Sequence, residues 1–185
     1  MTDAVIIVDM LKGFYNTGNL ANPRMARIIP KVAMLLYKKE RQGAWLIFLA
    51  DNHEPNDKEF KVWPPHCIKG SEESEIVDEL RPFLRSKKAI HIPKTRYSGF
   101  FRTNLEETLE RLKPERVIVV GTCTDICVLY TVAGLRMRDY KTLISRDCVE
   151  TFNSEKHPAG EINRETLFHL KTILGVKVVE KARDI

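Results

Sequence analysis

The sequence predicts an α/β protein, a three-layer α/β/α sandwich built on a mainly parallel six-stranded sheet. Two observations carry the prediction. Apolar runs rich in β-branched residues recur six times, and helical patterns separate most of them. The runs are apolar throughout rather than alternating, as strands are when helices cover both faces of a sheet.

The elements follow in chain order. AVIIV (4–8) is the first strand and leads into Asp9; a helical pattern then occupies roughly 22–41, where KVAMLLYKKERQG reads as a solvated helix face. AWLIFLA (44–50) is the second strand and ends at Asp51. From Asp51 to Lys87 the rhythm breaks in a long stretch rich in Pro, His, Asp and Glu. A loop of that length inside a compact domain usually serves function. AIHI (89–92) is the third strand, closely followed by Lys94. A helix over 104–112 takes Thr103 or Asn104 as its cap and holds Glu106 and Glu107 in its first turn. VIVV (117–120) is the fourth strand and stops at Gly121; a helix over about 125–138 starts a few residues later. TLIS (142–145), a helix over about 160–173 stopped by Gly175, and VKVV (176–179) complete the pattern.

A chain of 185 residues suits one domain, 1–185, with the 51–87 stretch as an insertion. Hydrophobic residues at 43% and charged residues at 30% exclude a disordered chain. The apolar runs are too short to span a bilayer, and MTDAVIIVDM lacks the basic start and continuous apolar segment of an export signal. Four cysteines without repeated spacing do not form a disulfide framework, so the expected compartment is the cytoplasm. Thirty basic against 25 acidic residues leave a charge of +5, but the two kinds are interspersed, and neither a nucleic-acid nor a membrane partner is expected.

In a parallel sheet, ligands gather beyond the carboxyl ends of the strands. Asp9, Asp51, Lys94 and Gly121 fall there, and Cys127 follows in GTCTDICV. A helix starting near Asp125 would aim N–H groups and its positive dipole end at Cys127, favouring thiolate, and the same N–H groups could hold an oxyanion. Asp9 could take the thiol proton and return it to a leaving amine, with Lys94 supporting the charges. Each residue alone also has a structural reading: a small core thiol, a loop-bonding carboxylate, a surface lysine. Cys148 reads as core. Asp51-x-His53 with His66 offers oxygen and nitrogen ligands to a divalent ion.

VDMLKGF, PKTRYSGF and GTCTDICV, in that order and spacing, resemble the isochorismatase-like cysteine hydrolases over nearly the whole chain. The resemblance implies a catalytic group of Asp9, Lys94 and Cys127. It also implies a cis peptide between Thr122 and Cys123 and an oxyanion hole from the N–H groups of Cys123 and Cys127. DNH followed by WPPHC looks like the metal loop of the nicotinamidase branch. There an Asp, two His and a variable residue hold one divalent metal ion, which maps onto Asp51, His53 and His66. Zinc is expected, with manganese or iron as alternatives. With no third histidine in the loop, Glu59 is taken as the fourth ligand and Asp57 as its competitor. Phe14, Trp63 and Tyr97 match positions that line the pocket and would contact a flat ring. Two departures from the pattern are Cys123, where a small apolar residue is common, and Arg102, where glycine is common.

The expected activity is hydrolysis of nicotinamide to nicotinate and ammonia through a cysteine thioester, in NAD recycling, by a homo-oligomer. The alternatives are a cysteine hydrolase of another small amide or carbamoyl substrate, or a thiol-redox protein using Cys123 and Cys127.

Overall fold

The computed structural model describes residues 2–185. Its six strands are β1 (Asp3–Val8), β2 (Trp45–Asp51), β3 (Ala89–Lys94), β4 (Arg116–Thr122), β5 (Thr142–Glu150) and β6 (Lys177–Val179). Every pairing is parallel, in the order β3-β2-β1-β4-β5-β6. The helices are a single turn α1 (Lys12–Tyr15), then α2 (Ile29–Arg41), α3 (Leu105–Leu112), α4 (Leu129–Arg136) and α5 (Ala159–Thr172).

Side chains alternate across each strand, and so the sheet has two cores. Val5, Ile7, Leu46, Phe48, Ile118 and Val120 pack with α1 and α2 on one face. Ala4, Ile6, Ile47, Leu49, Val117 and Val119 pack with α3, α4 and α5 on the other. This double cover is the reason no polar residue interrupts the middle strands.

Several boundaries differ from the sequence reading. The pattern at 22–41 resolves into a 3₁₀ turn, Met25–Ile28, leading into α2, where Pro30 sits in the first turn and costs no hydrogen bond there. The face of α2 is not wholly solvated: Lys39 is buried, with Nζ 2.9 Å from Asp3 Oδ2. The 51–87 stretch carries three 3₁₀ turns, Lys58–Lys61, Glu72–Ser74 and Arg81–Arg85. At α3, Asn104 takes the capping backbone position, but Leu105 N–H donates to Thr103 Oγ1 at 3.2 Å. The helix expected over 125–138 opens as a π-helical turn, Thr124–Val128, before α4. Most telling, β5 runs five residues beyond TLIS. Its register against β4 jumps from Ile144–Val119 to Val149–Gly121, so Ser145 to Cys148 form a bulge. The polar SRD within that bulge hides the strand's continuation from a reading of apolar runs.

The strand order reverses between β1 and β4, the crevice where doubly wound sheets bind their ligands. Gly121 faces Val8 across that crevice at φ +119°, and a Cβ there would lie 2.0 Å from the Val8 carbonyl oxygen. Only glycine lets the two strands approach so closely.

Candidate active site

β1 delivers Asp9 one residue past its end, in a left-handed conformation (φ 49°) that turns the carboxylate inward beneath the loop. Leu49 O accepts from Asp9 N–H at 2.9 Å, and Asp9 Oδ1 accepts from Asp51 N–H at 2.9 Å, which locks the ends of β1 and β2 together. Lys94, at the end of β3, is buried with its ammonium 2.7 Å from Asp9 Oδ2, 2.6 Å from Asp51 Oδ1 and 3.5 Å from Cys127 Sγ. The π-helical turn after β4 supplies Cys127, and nearest ligand atoms of Asp9, Asp51 and Cys127 lie within 4.8 Å of one another. The peptide bond between Thr122 and Cys123 is cis.

Burial and charge set the protonation of this group. Desolvation and the neighbouring Asp51 push Asp9 up to about 6. Asp51 is desolvated as well, but the Lys94 charge and the His53 imidazole beside it draw it down to about 2. Burial opposes the charge on Lys94, and the two carboxylates outweigh it, holding the amine protonated. Cys127 departs from the expectation of a favoured thiolate. Desolvation pushes its pKa well up, the Lys94 charge only partly offsets this, and Asp9 adds to the rise. At neutral pH the sulfur keeps its proton and the adjacent carboxylate is ionised.

The second cluster stands beside the first. One ligand atom each from Asp51, His53 and His66 fall within 4.8 Å of one another, all buried. His53 Nε2 has no hydrogen-bond partner among the described residues and lies 3.7 Å from Asp51 Oδ1, while its Nδ1 faces Asp57 Oδ2 at 3.2 Å. His66 Nδ1 is bonded to Pro64 O at 2.8 Å, which leaves Nε2 turned inward, 3.9 Å from Asp51 Oδ2. Two imidazoles with unspent nitrogens and a shared carboxylate are the donor set a divalent cation needs, and these three residues could hold one. Glu59 lies outside this tight trio, with Oε1 3.9 Å from His66 Nε2 and Oε2 3.9 Å from the Arg96 guanidinium, without a hydrogen bond among the described residues. Desolvation, with Asp51 beside it, raises Glu59 to about 7. Asp57 is occupied elsewhere, accepting from Glu59 N–H at 2.9 Å and pairing with Arg96 at 2.7 Å besides His53.

Both clusters open into one cavity of about 280 Å³. Asp51, Glu59, His66 and Cys127 line its polar part, and Phe14, Trp63 and Tyr97 are among its apolar walls. Trp63 Nε1–H donates to Tyr97 OH at 2.9 Å. The cavity also touches Leu20, Met25, Ile126 and Phe152, which the sequence reading did not single out. Phe152 stands just past the true end of β5, which the apolar run TLIS does not reveal. Cys123 also lines the cavity, its Sγ 3.8 Å from Met25 Sδ, and all four cysteines are free.

A model of the isochorismatase domain matches residues 3–168. Among solved structures, a nicotinamidase from Bacillus subtilis is 29% identical over 97% of this chain and 100% of its own, with a TM-score of 0.88. An N-carbamoylsarcosine amidase from Thermoplasma acidophilum is also 29% identical, over 100% and 99% of the two chains, at 0.86. A pyrazinamidase of Pyrococcus horikoshii, solved in complex with zinc, is 28% identical over 97% and 99%, at 0.85.

Proposed function

Since the chain belongs to the isochorismatase domain family, we propose that it is a cysteine-dependent amidohydrolase and, within that class, a nicotinamidase of the cytoplasm that serves NAD recycling. One observation carries the reading. The thiol of Cys127 lines a small, aromatic-walled cavity, backed by a buried amine that contacts both it and a buried acid, and Asp51 and His66 of the carboxylate–imidazole trio line the same cavity. A cavity at the lower end of the usual range for small-molecule sites suits a single flat ring.

In this mechanism the carboxamide carbon is attacked by Cys127 Sγ as Asp9 takes the thiol proton. The resting state fits, since the base beside the neutral thiol is already ionised. The N–H groups of Cys123 and Cys127 receive the oxyanion. Asp9 passes its proton to the departing ammonia, then draws one from the water that cleaves the thioester. Lys94 holds Asp9 and Asp51 in place and favours the ionised state to which Asp9 returns after each proton transfer. Asp51, His53 and His66 would hold a zinc ion with Glu59 beside them, and a bound zinc ion supplies a Lewis-acid contact that orients the ring nitrogen. Phe14, Trp63 and Tyr97 sandwich the ring.

The amidase of carbamoylsarcosine is as similar in sequence as the nicotinamidase, so a second reading is a small carbamoyl substrate. Ammonia release from nicotinamide, pyrazinamide and N-carbamoylsarcosine, each with and without chelator, separates the two. Chelator-sensitive turnover of the ring amides, abolished by Cys127→Ala, is the expected result. Full turnover by Cys127→Ala overturns the mechanism, and turnover of the carbamoyl compound alone overturns the substrate.

A further inference from the structure

The loop after β5 builds one wall of the cavity with Phe152, Asn153 and Ser154, yet it lies on the surface with no sheet partner. What holds it is a cluster outside the two described above. Asp125, two residues before Cys127, accepts from Thr151 Oγ1 at 2.6 Å through one carboxylate oxygen. Its other oxygen faces His157 Nε2 at 2.9 Å. The second nitrogen of His157, Nδ1, faces the Phe152 carbonyl oxygen at 3.0 Å. The His157 ring also lies flat on the Phe152 ring, with centroids 3.9 Å apart and 8° between planes. Phe152 in turn meets Trp63 edge to face, at 6.0 Å and 86°. A mutual backbone pair between Ser154 and His157, 3.1 Å each way, folds the loop back so that the histidine returns over Phe152.

From this chain of contacts we propose that Asp125 and His157 form a latch that positions Phe152 against Trp63, and that the latch sets the affinity of the cavity for planar aromatic amides. Phe152 and Trp63 come from segments far apart in the chain, and their rings approach at an aromatic-pair distance on the border of the cavity. Edge-to-face pairs are directional, so a Phe152 free to swing loses the wall it makes for a ring lying alongside. Asp125 belongs to the turn that carries the thiol, so the latch also registers this wall to the nucleophile. His157 touches no reacting atom; it is a positioning residue. The role assigned to ring affinity rests on the reading of the cavity as the seat of a flat amide, whereas the latch itself does not.

The test uses the full chain carrying Trp45→Phe, which leaves Trp63 as the lone tryptophan. In this background His157→Leu removes both polar contacts of the imidazole and the stacked ring, while His157→Gln keeps a donor toward Asp125. The expected results for His157→Leu are a KM for nicotinamide raised about five- to tenfold, with kcat within about twofold, and stronger acrylamide quenching of Trp63. His157→Gln should fall between it and the parent on both readouts. A fall in kcat without a change in KM, or wild-type quenching in His157→Leu, overturns the proposal. If the parent protein hydrolyses no ring amide, the proposed substrate falls and with it the affinity role, while the quenching still decides whether the latch holds Phe152 on Trp63.

Discussion

Replacing Lys94 with Met tests the electrostatic account of the site most directly. Met keeps the unbranched length and removes the charge. Lys94, Asp9 and Asp51 have side chains at most 2% exposed, and one ammonium bridges both carboxylates at 2.7 and 2.6 Å. Removing one partner of a buried ion pair costs about 3–5 kcal/mol, because the other charge is left without compensation. For a chain of this size that is a fall in Tm of about 6–20 °C. The variant escapes part of the cost by keeping Asp9 protonated, and this fixes the pH dependence. Asp9 is already raised from 3.8 to about 6 in the folded protein, mainly by desolvation and then by Asp51. A carboxyl raised on folding contributes stability that is present below its unfolded pKa and lost as pH climbs through the folded value. Without Lys94, which pulls Asp9 down, that window extends upward. The deficit of Lys94→Met should therefore be small near pH 5 and grow toward pH 8. Urea unfolding followed by circular dichroism, on chelator-treated protein so that no cation replaces the ammonium, measures it. A deficit that is flat between pH 5 and 8, or absent at pH 8, refutes the reasoning.

Other consequences are open to measurement. The acid limb of kcat/KM for nicotinamide should have its midpoint at or below about 6, since Asp9 must be ionised to accept the thiol proton and a cation at Asp51 lowers it further; a midpoint above 7 contradicts the assignment of the base. Asp57→Asn weakens the acceptor 3.2 Å from His53 Nδ1 and should reduce zinc affinity about 10–100-fold in competition with a chromophoric chelator. Unaltered affinity would mean that His53 is not a ligand. Gly121→Ala must push a methyl into Val8 O at a backbone φ of +119°, so urea unfolding should show a loss of about 2 kcal/mol or more. An alanine variant as stable as the parent would show that β1 and β4 can separate freely.

The sheet was legible because double cover removes polar residues from its strands, leaving AVIIV, AWLIFLA and VIVV as uninterrupted signals. Asp9, Asp51 and Lys94 stood out because each breaks or closely follows such a run at the end where ligands collect. The end of β5 was not legible, since a bulge inserts SRD into the strand and mimics its termination. That error hid Phe152, and with it the pairing of Asp125 with His157, which spans 32 residues and has no local spacing to betray it. The thiol's protonation state was misjudged for a related reason. A lysine beside the thiol can be inferred from the strand ends, but desolvation depends on everything packed around the sulfur, and it outweighs the lysine.

The Asp9 and Lys94 side chains stand at or just past the ends of strands and Cys127 on the turn that follows β4, whereas Trp63 and Phe152 stand on excursions that leave the sheet and return. Bond-breaking hardware and ring-fitting side chains are thus largely separate residues. A designer could reshape Trp63 and Phe152 to admit a different acyl group, provided His53, Glu59, His66 and the tie to Asp125 stay in place, and leave the hydrolytic engine at its factory setting.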